Sequence, residues 1–118
     1  MLITLSASDV DDQNLTFSIV AGYMMAKGMF ADFVRYKHND MEDLKKQLEA
    51  ARAAGARQII VVTDGAFSMD GTIARLGAIC DAAEQYEALV MSDESHATGF
   101  IGKTGRGVHE YRGVMDRV

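Results

Sequence analysis

The chain has 118 residues, which leaves room for one domain rather than two. Its 48% apolar share supports a packed core, and a net charge of −5 argues against a nucleic-acid-binding surface, which needs a basic patch. The one cysteine, Cys80, excludes an intramolecular disulfide and fits a reducing compartment; no secretory leader and no membrane-length apolar run is visible, so the expected location is cytoplasmic.

In chain order, short apolar runs alternate with helical patterns. Leu2 to Leu5 reads as a first strand, and the polar stretch Ser8 to Asn14 offers several helix caps. Leu15 to Met29 is apolar almost all round, through Phe17, Ile19, Val20, Tyr23, Met24 and Met25, and predicts a buried helix. Phe30 to Tyr36 predicts a second strand. Asn39 then fits a capping box with Glu42 three residues on, and Met41, Leu44, Leu48 and Ala51 fall on one face of the helix that follows. Gly55 sits where a left-handed residue would close that helix. Gln58 to Thr63, with its Ile-Ile-Val-Val run, predicts a third strand. Thr72 to Tyr86 predicts the next helix, capped by Thr72 and buried through Ile73, Leu76, Ile79 and Ala83, with Cys80 beside that face. Ala88 to Met91 has the length and composition of a strand buried on both faces.

A βαβαβαβ pattern of this kind implies a parallel sheet with right-handed crossovers and helices on both faces, in αβα layers, within one α/β domain over residues 1–118. Ligands of such sheets bind beyond the carboxyl ends of the strands, and that is where this sequence puts its polar groups. After the third strand, Asp64-Gly65-Ala66-Phe67-Ser68-Met69-Asp70-Gly71 offers two acids and a hydroxyl; after the fourth, Asp93, Ser95 and His96 appear together. A carboxylate just past a buried strand is partly desolvated and needs a cation or hydrogen-bond donors to stay charged. The glycines that follow, Gly99, Gly102, Gly105 and Gly107, lack the dinucleotide-binding spacing.

Two of these stretches carry a resemblance. Asp64 to Gly71, and Ser92-Asp93-Glu94-Ser95-His96-Ala97-Thr98-Gly99-Phe100 followed by Gly105-Arg106-Gly107-Val108-His109-Glu110-Tyr111, are similar in order and separation to the α-oxoamine synthases. The motifs carry the match over about residues 35–118, and residues 1–34 are atypical of the family. The resemblance implies part of the large domain of a pyridoxal phosphate enzyme of fold type I. It implies that Asp93 pairs with the pyridine nitrogen, that His96 hydrogen-bonds the ring's phenolic oxygen, and that Ser68 lies nearby. The branch most resembled joins glycine and acetyl-coenzyme A to give 2-amino-3-ketobutyrate and coenzyme A.

The departures also set expectations. The family's Schiff-base lysine would fall past Val118, and Lys103, in the glycine loop, does not take its place. Leu15 stands where the ring-stacking histidine would follow the asparagine echoed by Asn14. The early glycine-rich phosphate segment and the carboxy-terminal domain have no counterpart here. The chain therefore reads as a fragment, inactive alone, that forms a homo-oligomer or joins a complementing chain. Two other readings stay open: a receiver-like or phosphatase-like domain binding Mg²⁺ through Asp64, Asp70 and Asp93, and a non-catalytic assembly module.

Overall fold

A computed structural model describes residues 2–8 and 31–118, with side chains from residue 34 onward. The helix expected over Leu15 to Met29 lies outside the described residues, as do the caps proposed before it. Four strands form one parallel sheet: β1 (Leu2–Ser8), β2 (Ala31–Lys37), β3 (Gln58–Asp64) and β4 (Leu89–Asp93), in the order β2-β1-β3-β4. β1 runs three residues beyond the expected Leu5, because Ser6, Ala7 and Ser8 stay in register with Arg35, Tyr36 and Lys37.

Helix α1 (Met41–Ala53) connects β2 to β3, and α2 (Leu76–Gln85) connects β3 to β4. Both crossovers move the same way across the sheet, so right-handed connection puts both helices on one face. The two helices accordingly pack on each other, α1 also against β1 and β2, and α2 against β4. The apolar spacing of α1 does what it implied: Met41, Leu44, Leu48 and Ala51 are all buried, against Ile59 and Val61 of β3 and Leu76, Ile79, Cys80 and Ala83 of α2. Complete burial of a leucine stabilises by about 2 kcal/mol relative to exposure, so Leu44 and Leu48 are the main anchors of α1. Burial also pushes the Cys80 thiol above its ordinary range.

The helix starts differ from the sequence reading. The cap of α1 is Asp40, not Asn39: Asn39 turns left-handed at φ 51°, and the extended Asp40 accepts a 3.0 Å bond from the Asp43 amide. Asp43 accepts from the Lys37 amide at 2.7 Å while the Asp40 amide donates to the Lys37 carbonyl, so the turn before α1 is closed without the capping box expected between Asn39 and Glu42. At the other end Gly55 does turn left-handed, at φ 86°; its amide reaches the Arg52 carbonyl, and the Ala56 amide reaches Ala51.

α2 begins at Leu76, four residues after the expected Thr72. Ile73 is pulled into an antiparallel bridge with Ala66, the Ala74 amide bonds the Gly65 carbonyl, and the Thr72 hydroxyl bonds Asp70. A local hairpin therefore wins over continued helix. β4 is not buried on both faces either: Leu89 is 57% and Met91 40% exposed. Among the described residues β4 is an edge strand with β3 alone as neighbour, so its apolar run is only partly covered. No helix among the described residues is long and apolar enough to cross a membrane.

Candidate functional site

Strand order reverses between β1 and β3, because β2 follows β1 to one side and β3 follows to the other. The carboxyl ends of β1 and β3 therefore flank the crevice where open parallel sheets bind ligands. Asp64 closes β3 and Asp93 closes β4, and the two are register partners. In a parallel pair, register partners project from the same face. Along β3, Ile59 and Val61 meet the helices, so Asp64 belongs with Ile60 and Val62 on the opposite face, and Asp93 with it. Two acids thus stand side by side at the carboxyl edge, Asp64 buried and Asp93 half-buried. Like charges so placed favour a cationic or proton-donating partner.

Asp93 is held locally by Ser95, whose amide donates to Asp93 Oδ1 at 2.9 Å and whose hydroxyl donates to the same oxygen. The Gly65 amide bonds the Asp93 carbonyl at 2.8 Å, tying the two strand ends together. Beyond Asp93 the chain makes a turn on which His96 is exposed and Ala97 is fully buried; the Ala97 and Thr98 amides both donate to the Glu94 carbonyl. Ser68 is exposed at the tip of the hairpin after β3. The three expected site residues therefore share one edge of the sheet, Asp93 and His96 on one segment and Ser68 on another.

The hairpin bearing Ser68 is braced from β2. His38 Nε2 lies 3.1 Å from Thr72 Oγ1 and 3.4 Å from Asp70 Oδ2, and its ring meets buried Phe67 edge-on at 4.4 Å. The Thr72 amide and hydroxyl both donate to Asp70, which holds that carboxyl below its usual range. Asp70 is thus engaged in a turn. Among the described residues no group of three His, Cys, Asp or Glu side chains could hold a metal ion. Tyr36, two residues before His38, is buried beside Thr63, and burial pushes its phenol up to about 12.

Two carboxylates shape the glycine loop after β4. Glu94 accepts from the Ser92 hydroxyl at 2.6 Å and from the Val108 amide at 2.7 Å, with His109 Nδ1 3.3 Å away. Glu110, on the short helix α3 (Val108–Tyr111), accepts from the Thr104 hydroxyl and amide and from the Arg106 amide, and these bonds lower its pKa. Neither acid stands out by spacing or composition; both fall within the stretches that carry the family resemblance, and the glycine at 107 just before a helix is the further signal.

Set against known proteins, residues 14–118 match the family described as Aminotransferase class I and II. The chain is 54% identical over 101 residues to 2-amino-3-ketobutyrate coenzyme A ligase of Escherichia coli K12, covering 86% of this chain and 25% of that protein. It is 50% identical over 117 residues to the mitochondrial protein of the same name from Bos taurus, covering 99% of this chain and 27% of that one. Among solved structures, serine palmitoyltransferase of Sphingomonas wittichii superposes with a TM-score of 0.79 at 35% identity, covering 99% of this chain and 27% of the other. A variant of SPT solved with PLP gives the same TM-score at 33% identity, with the same coverage. Similarity therefore reaches further toward the amino terminus than the two motifs alone carry it. The chain spans about a quarter of the length of the relatives it matches.

Proposed function

Because the chain belongs to the aminotransferase class I and II family, we propose that its carboxyl-edge residues bind pyridoxal phosphate as part of an enzyme that joins glycine to the acetyl group of acetyl-coenzyme A. The observation that carries this reading is Asp93: a half-buried carboxylate at a strand end, oriented by Ser95 and facing the same side as Asp64. The donor set fits the cofactor's ring, since it offers an acid for a cationic nitrogen, an imidazole for a phenolic oxygen and a hydroxyl on the neighbouring loop. When bound, pyridoxal phosphate supplies an electron sink for negative charge at a substrate's α-carbon. Asp93 would keep the ring nitrogen protonated, and the pair would offset the desolvation that either charge would suffer alone. His96 would hydrogen-bond the phenolic oxygen, and Ser68, on the hairpin after β3, would offer its hydroxyl near the ring. No lysine of residues 1–118 takes the amine position of the family, so the part assigned to these residues is to bind and orient the ring.

The test uses pyridoxine 5′-phosphate, which keeps the ring nitrogen and phenolic oxygen but has no aldehyde to react with surface lysines such as Lys103. Calorimetric titration should show saturable binding that weakens at least tenfold in Asp93→Ala. Equal affinity in the two proteins would overturn the assignment. A second feature supports association with another chain: Leu89 and Met91 on β4 and Met115 after it are exposed apolar side chains. Sedimentation equilibrium should show self-association at high micromolar concentration, and a strict monomer would contradict it.

A further inference from the structure

We infer that Glu94 is the positioning residue of the candidate site, fixing the backbone from which Asp93 and His96 project; this rests on the cofactor reading above. Neighbouring acids at a strand end turn to opposite faces, and here they do different work. Asp93 faces the edge shared with Asp64, whereas Glu94 turns back toward Ser92, the residue two before it, and takes its hydroxyl. The Glu94 side chain is only 11% exposed. It fills a slot made by two glycines from different parts of the chain: a β-carbon at Gly65 or at Gly107 would stand 2.5 Å from a Glu94 oxygen. No other residue type leaves that slot open without moving the carboxylate.

Within the slot the carboxylate joins three segments. Oε1 takes the Ser92 hydroxyl of β4, Oε2 takes the Val108 amide at the start of α3, and Gly65 at the end of β3 forms the wall. The main chain of Glu94 completes the device. Its carbonyl accepts the Ala97 and Thr98 amides and the Thr98 hydroxyl, so the turn presenting His96 hangs from this one residue. Asp93 is attached on the other side, through the Gly65 amide on its carbonyl. Both oxygens of Glu94 are thereby engaged, which is why it acts through Asp93 and His96 rather than as a second acid toward the ring.

The variant is Glu94→Gln, which keeps the size but removes the charge: its one oxygen can take the Val108 amide, while the Ser92 hydroxyl must turn round to accept from its NH2, so two charge-assisted bonds become neutral ones. Four proteins, the full chain, Glu94→Gln, Asp93→Ala and the double variant, would be titrated with pyridoxine 5′-phosphate. Leu48→Ala, destabilised through the core, controls for stability alone. Glu94→Gln should weaken the probe about tenfold, its effect should shrink but not vanish in the Asp93→Ala background because His96 remains, and Leu48→Ala should bind normally. Additive losses in the double variant, or an equal loss in Leu48→Ala, would overturn the inference. Amide hydrogen exchange without ligand separates this from the cofactor reading. If the full chain does not bind the probe, that reading fails. Faster exchange at Ala97, Thr98 and Val108 in Glu94→Gln but not in Leu48→Ala then supports the positioning role, and unchanged exchange overturns it.

Discussion

Gly65→Ala isolates the Glu94 slot from every other feature of the strand end. The added methyl would stand 2.5 and 2.6 Å from the two Glu94 oxygens, too close to persist, so one side must move. A carboxylate at the end of a flexible side chain usually moves cheaply. Here it is bonded to the Ser92 hydroxyl and the Val108 amide and has little access to water that could replace them. Hydrogen bonds to a charged group contribute about 1.5–3 kcal/mol each, so losing one or weakening both should cost about 2–4 kcal/mol. In a domain of this size that corresponds to a fall in Tm of roughly 10–20 °C. The assay is urea unfolding followed by far-UV circular dichroism, in two backgrounds. In Glu94→Ala the slot is vacant, and Gly65→Ala, at a position without positive φ, should then be neutral or stabilising by up to about 1 kcal/mol through the unfolded chain. A coupling of at least about 2 kcal/mol is therefore expected. The same cost in both backgrounds, or a cost below about 0.5 kcal/mol in the parent, would refute the slot.

Arg52→Ala should destabilise by about 2 kcal/mol, because its guanidinium donates to the Tyr86 carbonyl at 2.6 Å, to Ala56 at 2.7 Å and to Glu87 at 2.8 Å, joining the ends of α1 and α2; an unchanged urea midpoint would contradict this. Glu110 has a lowered folded pKa, so its ionised form stabilises the loop above the ordinary glutamate range, and that contribution is lost as pH falls through the lowered value. Exchange of the Thr104 and Arg106 amides should rise with acid in the parent and be fast and pH-insensitive, after correction for intrinsic rates, in Glu110→Gln; parallel profiles would refute the role. Residues 1–118, incubated with pyridoxal phosphate, glycine and acetyl-coenzyme A, should release no coenzyme A thiol, since no lysine takes the amine position. Turnover that disappears in Asp93→Ala would show this wrong.

What was legible in the sequence was what period and composition control. The Ile-Ile-Val-Val run gave β3, and the spacing of Met41, Leu44, Leu48 and Ala51 gave the buried face of α1, because both depend only on which side meets the core. The shared edge of Ser68, Asp93 and His96 followed from alternation of strand and helix. Boundaries set by competition between hydrogen bonds were not legible. Thr72 is a good helix cap in isolation, but the bridge from Ala66 to Ile73 and the bond to Asp70 claim the segment first. Asn39 and Asp40 are both good caps, and the left-handed turn at Asn39 leaves the role to Asp40. The apolar run of β4 looked buried on both sides because composition does not say which neighbours a strand has. Glu94 was hidden for a different reason: its partners, Gly65 and Val108, lie 29 and 14 residues away in sequence, and only the fold brings them to it.

The role proposed for Asp93 is to hold a proton on the ring nitrogen of pyridoxal phosphate. Nitrogen-15 NMR of pyridoxine 5′-phosphate labelled at that nitrogen, bound to the chain near pH 8, reads the proton directly. The expected result is a shift in the pyridinium range for the parent chain and in the neutral pyridine range, or no bound signal, for Asp93→Ala. A neutral ring nitrogen in the parent complex, or a pyridinium that survives Asp93→Ala, would contradict the account.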